Sequence, residues 1–200
     1  MKLVSADASP FARKIRVLLH EADLTADVSV LSAATTPLNT DPTVAAANPM
    51  GKIPTLIRDD GPAIYDSRVI SRFLNDHADA GLYPDSRLWE TLTLEATADG
   101  IMDAAVLMTY EKRLRPPEHQ SEDWLEAQWK KVAGAVGVLE NRWMSHLTGP
   151  FDMSHIAVGC ALAYLDFRHG DRNWRKGNDA LDDWFAVFAE RDSMKATVPA

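Results

Sequence analysis

The stretch that decides the reading is Ala8-Ser9-Pro10-Phe11-Ala12-Arg13-Lys14. Just ahead of it, Lys2 to Ser5 has the character of a short strand. Ser9 offers a side-chain oxygen at a helix N-cap, and Pro10 suits the first helical position, where no N–H is needed. Phe11, Ile15, Leu18, Leu19 and Ala22 then recur at helical spacing. The heptapeptide is therefore a strand-to-helix turn. Val28 to Leu31 supplies a second strand candidate, so the chain opens strand, helix, strand, with the strands parallel through a right-handed crossover.

Working outward, a polar, proline-containing stretch leads to Asn48-Pro49-Met50-Gly51-Lys52-Ile53-Pro54, which is dense in turn formers. Thr55 to Arg58 and Ala63 to Tyr65 flank Asp59-Asp60-Gly61-Pro62 and read as an antiparallel hairpin. A helix begins at Asp66-Ser67, with Val69, Ile70, Phe73 and Leu74 on one face. From Asn75 to Asp85 the sequence turns polar and carries Gly81 and Pro84, as a linker would. Beyond it only helical patterns remain: about Ser86 to Leu114; from Ser121 to Gly149-Pro150; an apolar helix capped by Asp152 and reaching about Arg168; and a last one marked by Leu181, Trp184, Phe185 and Phe188. The division is residues 1–77 as an α/β domain, 78–85 as linker and 86–200 as an all-α bundle.

The bulk properties narrow the function. A formal charge of −8 and a pI near 5.2 oppose binding to a phosphate backbone, so no nucleic-acid partner is expected. Arg13, Lys14 and Arg16 cluster, and such a run reads as a solvated helix face. Cys160 is the only cysteine, which excludes an intrachain disulfide; its apolar neighbours make it a buried thiol, not a nucleophile. The start of the chain lacks the apolar core of a signal peptide and no stretch is apolar enough to span a bilayer, so a cytoplasmic protein without a membrane partner is expected. The six histidines show no i, i+4 pair and no cysteine partner, and none is assigned to a metal. Trp124, Trp129, Trp143, Trp174 and Trp184 are assigned to packing.

Taken together, Ser9-Pro10-Phe11, Asn48 to Pro54, Asp66-Ser67 and the all-helical second half resemble a glutathione S-transferase along nearly the whole chain. The resemblance implies a thioredoxin-like α/β N-terminal domain joined to an all-α helical-bundle C-terminal domain. It places Ser9 where the family holds the residue that touches glutathione sulfur. A free thiol, with a pKa of about 8.5, is only a few per cent ionised at pH 7. Lowering that pKa by about two units takes about 2.7 kcal/mol. A hydrogen bond to a charged acceptor contributes roughly 1.5–3 kcal/mol and a helix N-terminus roughly 0.3–1 kcal/mol. With Ser9 and Ala12 standing where dithiol redox proteins carry cysteines, the chain cannot perform internal thiol exchange and needs a thiol brought by its substrate. Ser9 is also an ordinary N-cap, and both roles are compatible.

The resemblance further implies a cis Ile53–Pro54 bond, with the Ile53 N–H and C=O offered to the cysteinyl backbone of glutathione as a neighbouring strand would offer them. Lys52 would meet the glycine carboxylate. Asp66 and Ser67 would hold the γ-glutamyl end, though both are also good helix starters. A small hydrophobic electrophile is expected between the domains, with Phe11, Met102, Val106 and Tyr110 as lining candidates and ordinary bundle core as the alternative for the last three. Glutathione enters as co-substrate, with no permanently bound cofactor, and the family implies a homodimer. Glutathione-dependent isomerisation or peroxide reduction, and binding without turnover, share the same site. One departure is visible: where many members open the apolar helix with Ser/Thr-x-x-Asp, this chain has Asp152-Met153-Ser154-His155, which predicts a weaker or pH-sensitive reciprocal cap.

Overall fold

The computed structural model describes residues 1–199. The chain divides into two compact units, one of Met1–Leu88 together with the chain from Arg191 onward, the other of Trp89–Glu190. No helix among the described residues is long and apolar enough to cross a membrane.

The first unit is built on a three-stranded mixed sheet in the order β2-β1-β3. Strand β1 (Lys2–Ser5) lies between β2 (Ser29–Ser32), parallel with Leu3 opposite Val30, and β3 (Thr55–Ile57), antiparallel with Leu3 opposite Leu56. Leu3 and Val4 have no exposed surface, as expected of a central strand covered on both faces. Helix α1 (Pro10–Glu21) packs on β1 and on α3 (Ser67–Ala78), while the short α2 (Pro42–Ala47) sits against β3. The expected hairpin is reduced to one antiparallel bridge, Leu56 to Ile64, whose residues exchange both backbone hydrogen bonds at 2.8 and 2.9 Å. Pro62, which has no N–H to give a ladder, and the helix start at Ser67 leave little room for a longer strand.

The second unit is helical throughout. Helix α4 (Leu88–Leu114) enters it through a 3-10 turn at Asp85–Arg87, and α5 (Glu122–Val138) starts from the Ser121 cap. The segment expected as one helix to Gly149 instead widens into a π-helical stretch at Leu139–Trp143 before α6 (Met144–Leu147). Helix α7 (Met153–His169) is the axis: every residue from Met153 to Leu162 is buried, Cys160 included. A helix apolar all round has to be surrounded. Helix α8 (Asp179–Ala189) packs on it, and Trp174 is the one tryptophan of the five that is fully buried; the others are half-buried.

Both ends of α7 are tied to α4 by polar contacts. At its start Thr91 donates to Asp152 Oδ2 at 3.1 Å. At its end His169 Nε2 lies 2.9 Å from the Ala105 carbonyl and 3.2 Å from Thr109 Oγ1, and the Tyr164 hydroxyl donates to Thr109 at 3.2 Å. Burial pushes the His169 pKa down, so the imidazole is neutral in this contact.

Gly159 lets α7 and α8 approach closely: a Cβ there would lie 2.3 Å from Cε1 of Phe188, whose ring stacks on Trp184 at 4.9 Å. Gly134, exposed in α5, has nothing within 4 Å of its would-be Cβ. Gly159→Ala is therefore expected to destabilise the protein by about 1–2 kcal/mol, overpacking exceeding the helix-propensity gain. Gly134→Ala should stabilise it by about 0.5–1 kcal/mol. Urea unfolding of the two variants checks both signs.

Candidate functional site

Ser9 caps α1 in an extended conformation (φ −84°, ψ 120°), and its Oγ accepts from the Ala12 N–H at 3.3 Å. Its backbone is fixed at both ends, Ser9 N–H donating to the Ala6 carbonyl at 3.0 Å and the Ser9 carbonyl accepting from Arg13 N–H at 2.9 Å. The hydroxyl hydrogen has no acceptor among the described residues. Because Oγ already accepts from the helix, that hydrogen is left to donate outward beside the positive end of the α1 dipole.

The second element is the loop before β3. Its Ile53–Pro54 peptide is cis. The Ile53 side chain packs onto the cluster of Val4, Ala33 and Val44, and its N–H and C=O have no backbone partner among the described residues. Asn48, a residue to which sequence reasoning gave no role beyond turn former, shapes this loop. It is 2% exposed. Its Nδ2 donates to the Lys52 carbonyl at 2.9 Å and to Thr55 Oγ1 at 3.2 Å, while Oδ1 accepts from the Met50 N–H at 2.9 Å. Gly51 takes φ +63° with Thr40 packed 3.0 Å from its would-be Cβ, so no other residue fits without strain. The signal was available in Asn48 itself, since asparagine is the side chain that can both donate and accept inside a turn. The Lys52 side chain is exposed.

Asp66 caps α3 through an Arg68 N–H bond at 3.1 Å and is exposed; Ser67, at the first helical position, is buried. The Tyr65–Asp66 peptide is also cis. Ser9, Ile53, Pro54, Asp66 and Ser67 thus all stand in the first unit at helix starts or on the loop that feeds β3. Phe11, half-buried, belongs to that unit as well, whereas Met102, Val106 and Tyr110 share one face of α4 in the second. Met102 has no exposed surface and is bundle core. Val106 and Tyr110 are half-buried, and burial raises the Tyr110 pKa.

Two family models match the chain, "Glutathione S-transferase, N-terminal domain" over residues 8–77 and "Glutathione S-transferase, C-terminal domain" over residues 122–186. The GST-like protein YibF of Escherichia coli K12 is 34% identical over 206 residues, covering all of this chain and 98% of the relative. This chain belongs to the glutathione S-transferase family. A Pseudomonas fluorescens Pf-5 glutathione transferase family member, solved with bound glutathione, superposes with a TM-score of 0.97 at 43% identity over 100% of this chain and 98% of the other. A Methylobacillus flagellatus glutathione S-transferase, solved with glutathione bound, gives 0.84 at 34% identity over 100% and 99%. The thioredoxin-like and all-helical halves of a glutathione S-transferase are both present.

One sequence expectation needs correction. The basic run of α1 is not a solvated face: Arg13 is 5% exposed and Lys14 not at all. Arg13 is covered by the chain from Arg191 onward, which local periodicity cannot foresee. The histidines are also more concentrated than their spacing suggests. His146, Asp152 and His155 bring one ligand atom each to within 4.8 Å of one another, across α6 and the α7 start. Those atoms are engaged with each other: Asp152 Oδ2 meets His146 Nε2 at 2.9 Å and Oδ1 meets His155 Nδ1 at 3.0 Å, with Ser154 N–H donating to Oδ1 at 3.0 Å. The expected reciprocal cap is in place, His155 Nδ1 lying 3.2 Å from the Asp152 N–H. Nδ1 cannot accept that hydrogen and donate to Oδ1 at once. His155 Nε2 is buried without a partner, and the tautomer of this ring sets which of the two Nδ1 contacts is a hydrogen bond. In this chain the trio is a helix cap.

Proposed function

We propose that this glutathione S-transferase ionises the glutathione thiol at Ser9 and directs the thiolate onto a small hydrophobic electrophile. The observation that carries the reading is the Ser9 hydroxyl, held by the Ala12 N–H at a helix N-terminus with its hydrogen unspent. A thiolate placed there gains one charge-assisted hydrogen bond and the helix end, together the roughly 2.7 kcal/mol that a pKa drop of about two units demands. The Ile53 backbone beside Pro54 is suited to pair with the cysteinyl unit, Lys52 to meet the glycine carboxylate, and the α3 start at Asp66 and Ser67 to hold the γ-glutamyl carboxylate and ammonium. Val106 and Tyr110 are proposed as the residues of α4 that meet the electrophile. The glutathione bound in the Pseudomonas and Methylobacillus relatives supports glutathione as the ligand. Family membership supports a homodimer.

Two linked measurements test the proposal. At a glutathione concentration about a hundredfold above Kd, stabilisation by mass action is about 2.7 kcal/mol, and Tm is expected to rise by roughly 5–10 °C. Conjugation of a generic aryl halide should then proceed with glutathione and stop without the protein. A thermal shift with no turnover across several electrophiles would assign the chain to binding alone; no shift would remove glutathione from the account.

A further inference from the structure

Ten residues from the end, the chain returns to the unit in which it began. Helix α9 (Asp192–Lys195) lies on α1, and Ser193, Met194 and Thr197 are each less than 5% exposed. Two polar clusters fasten the segment. At the far end of α1, Arg191 forks onto Glu21, Nε to Oε1 at 2.8 Å and Nη2 to Oε2 at 2.6 Å, and the Ser193 hydroxyl donates to the same carboxylate. Burial raises the Glu21 pKa, but the hydrogen bonds from Arg191 and Ser193 outweigh it and the net shift is downward, so the carboxylate is charged.

At the near end the buried Arg13 donates through Nη2 to the Met194 carbonyl at 3.0 Å and through Nε to Thr197 Oγ1 at 3.4 Å. Thr197 Oγ1 in turn donates to the Ser193 carbonyl at 2.8 Å, so its lone pairs face the guanidinium and the fork has a fixed seat. The backbone of Arg13 closes the first turn of α1 onto the Ser9 carbonyl. One residue therefore joins the terminal segment to the turn that presents the Ser9 hydroxyl.

We infer that the chain from Arg191 onward is a clasp that fixes the first turn of α1, and that Arg13 is a positioning residue acting through it on Ser9. The inference rests on the proposed role of Ser9 for its catalytic consequence, but its mechanical half does not. A donor that must meet a thiolate at hydrogen-bond distance tolerates little drift, and misplacement by about 1 Å can cost a hundredfold in rate. A helix start otherwise frays. The clasp joins both ends of α1 to a segment seated by its buried Ser193, Met194 and Thr197.

The test compares full-length Arg13→Met, Arg13→Lys and the double variant Arg191→Ala/Thr197→Val, which loosens the clasp while leaving Arg13 in place. Amide hydrogen exchange at Ala12 and Arg13 is expected to speed up about tenfold or more in Arg13→Met and in the double variant, and less in Arg13→Lys, with Ile70 and Leu74 of α3 unchanged. In the same two variants the thiol pKa of bound glutathione, read from thiolate ultraviolet absorbance, should rise by about half a unit or more. Unchanged exchange at the first turn in the double variant would overturn the clasp, as would equal acceleration in α3, which would mean global destabilisation only. Faster exchange with an unmoved thiol pKa would overturn the positioning role. If the wild-type protein bound no glutathione, the proposed function would fall, and the exchange comparison alone would uphold or overturn the clasp.

Discussion

Ser9→Ala is expected to lower the turnover of glutathione conjugation by about ten- to a hundredfold while glutathione affinity stays within a few fold. The magnitude follows from the lost charge-assisted hydrogen bond, roughly 1.5–3 kcal/mol, each 1.4 kcal/mol being a factor of ten. Affinity is expected to be spared because the holds proposed for the tripeptide at the Ile53 backbone and the α3 start do not involve Ser9. The same substitution removes the α1 cap, at a stability cost of about 1 kcal/mol. Ser9→Gly separates the two effects, since glycine caps nearly as well yet has no hydroxyl. Equal loss of turnover in the Ala and Gly variants, with Ser9→Thr partly active, assigns the effect to the hydroxyl. Full turnover in Ser9→Ala would transfer the role to a backbone N–H of the first turn.

Asp152→Ala should be the most destabilising single change in the helical unit. Asp152 has no exposed surface, and its carboxylate receives Thr91, Ser154 and the two imidazoles. Removing one member of a buried charged network costs about 3–5 kcal/mol. For a chain of this length that is a drop in Tm of roughly 6–20 °C. The network also sets the acid limit of the fold. Burial alone would raise the Asp152 pKa; the hydrogen bonds from His155 and Ser154 and the pull of the two imidazoles reverse this and hold it well below the ordinary value of 3.8. A carboxylate depressed in the folded state stabilises the protein fully above its unfolded pKa, and that contribution is lost as pH falls through the folded value. Stability measured by urea should therefore decline below about pH 4 in the wild type. In Asp152→Asn, which keeps a cap acceptor without the titrating group, the decline should be shallower.

How much of this was legible in the sequence depended on the range of the interactions. Ser9-Pro10 announced the α1 start because a cap is a contact three residues long, and Asp66 announced α3 for the same reason. The apolar run after Asp152 predicted the axis of the bundle, since total burial needs no partner to be specified. What stayed hidden was distant or subtle. The hairpin before α3 shrank to a single bridge because Pro62 and an early helix compete with strand pairing. The clasp on α1 comes from a four-residue helix with no period to detect, and it turned Arg13 from a surface charge into a buried one. The His146–Asp152 contact joins the short α6 to the α7 start across a turn, a closure that helical periodicity does not announce. At the proposed site, motifs in the sequence pointed to Ser9, Ile53 with Pro54, and Asp66 with Ser67, while Met102 is buried bundle core and Asn48 was passed over as one turn former among several.

The most direct test is a pH titration of glutathione bound to the wild-type protein, following thiolate absorbance. The account predicts a midpoint about two units below the roughly 8.5 of a free thiol. A bound thiol that titrates near 8.5 would contradict it.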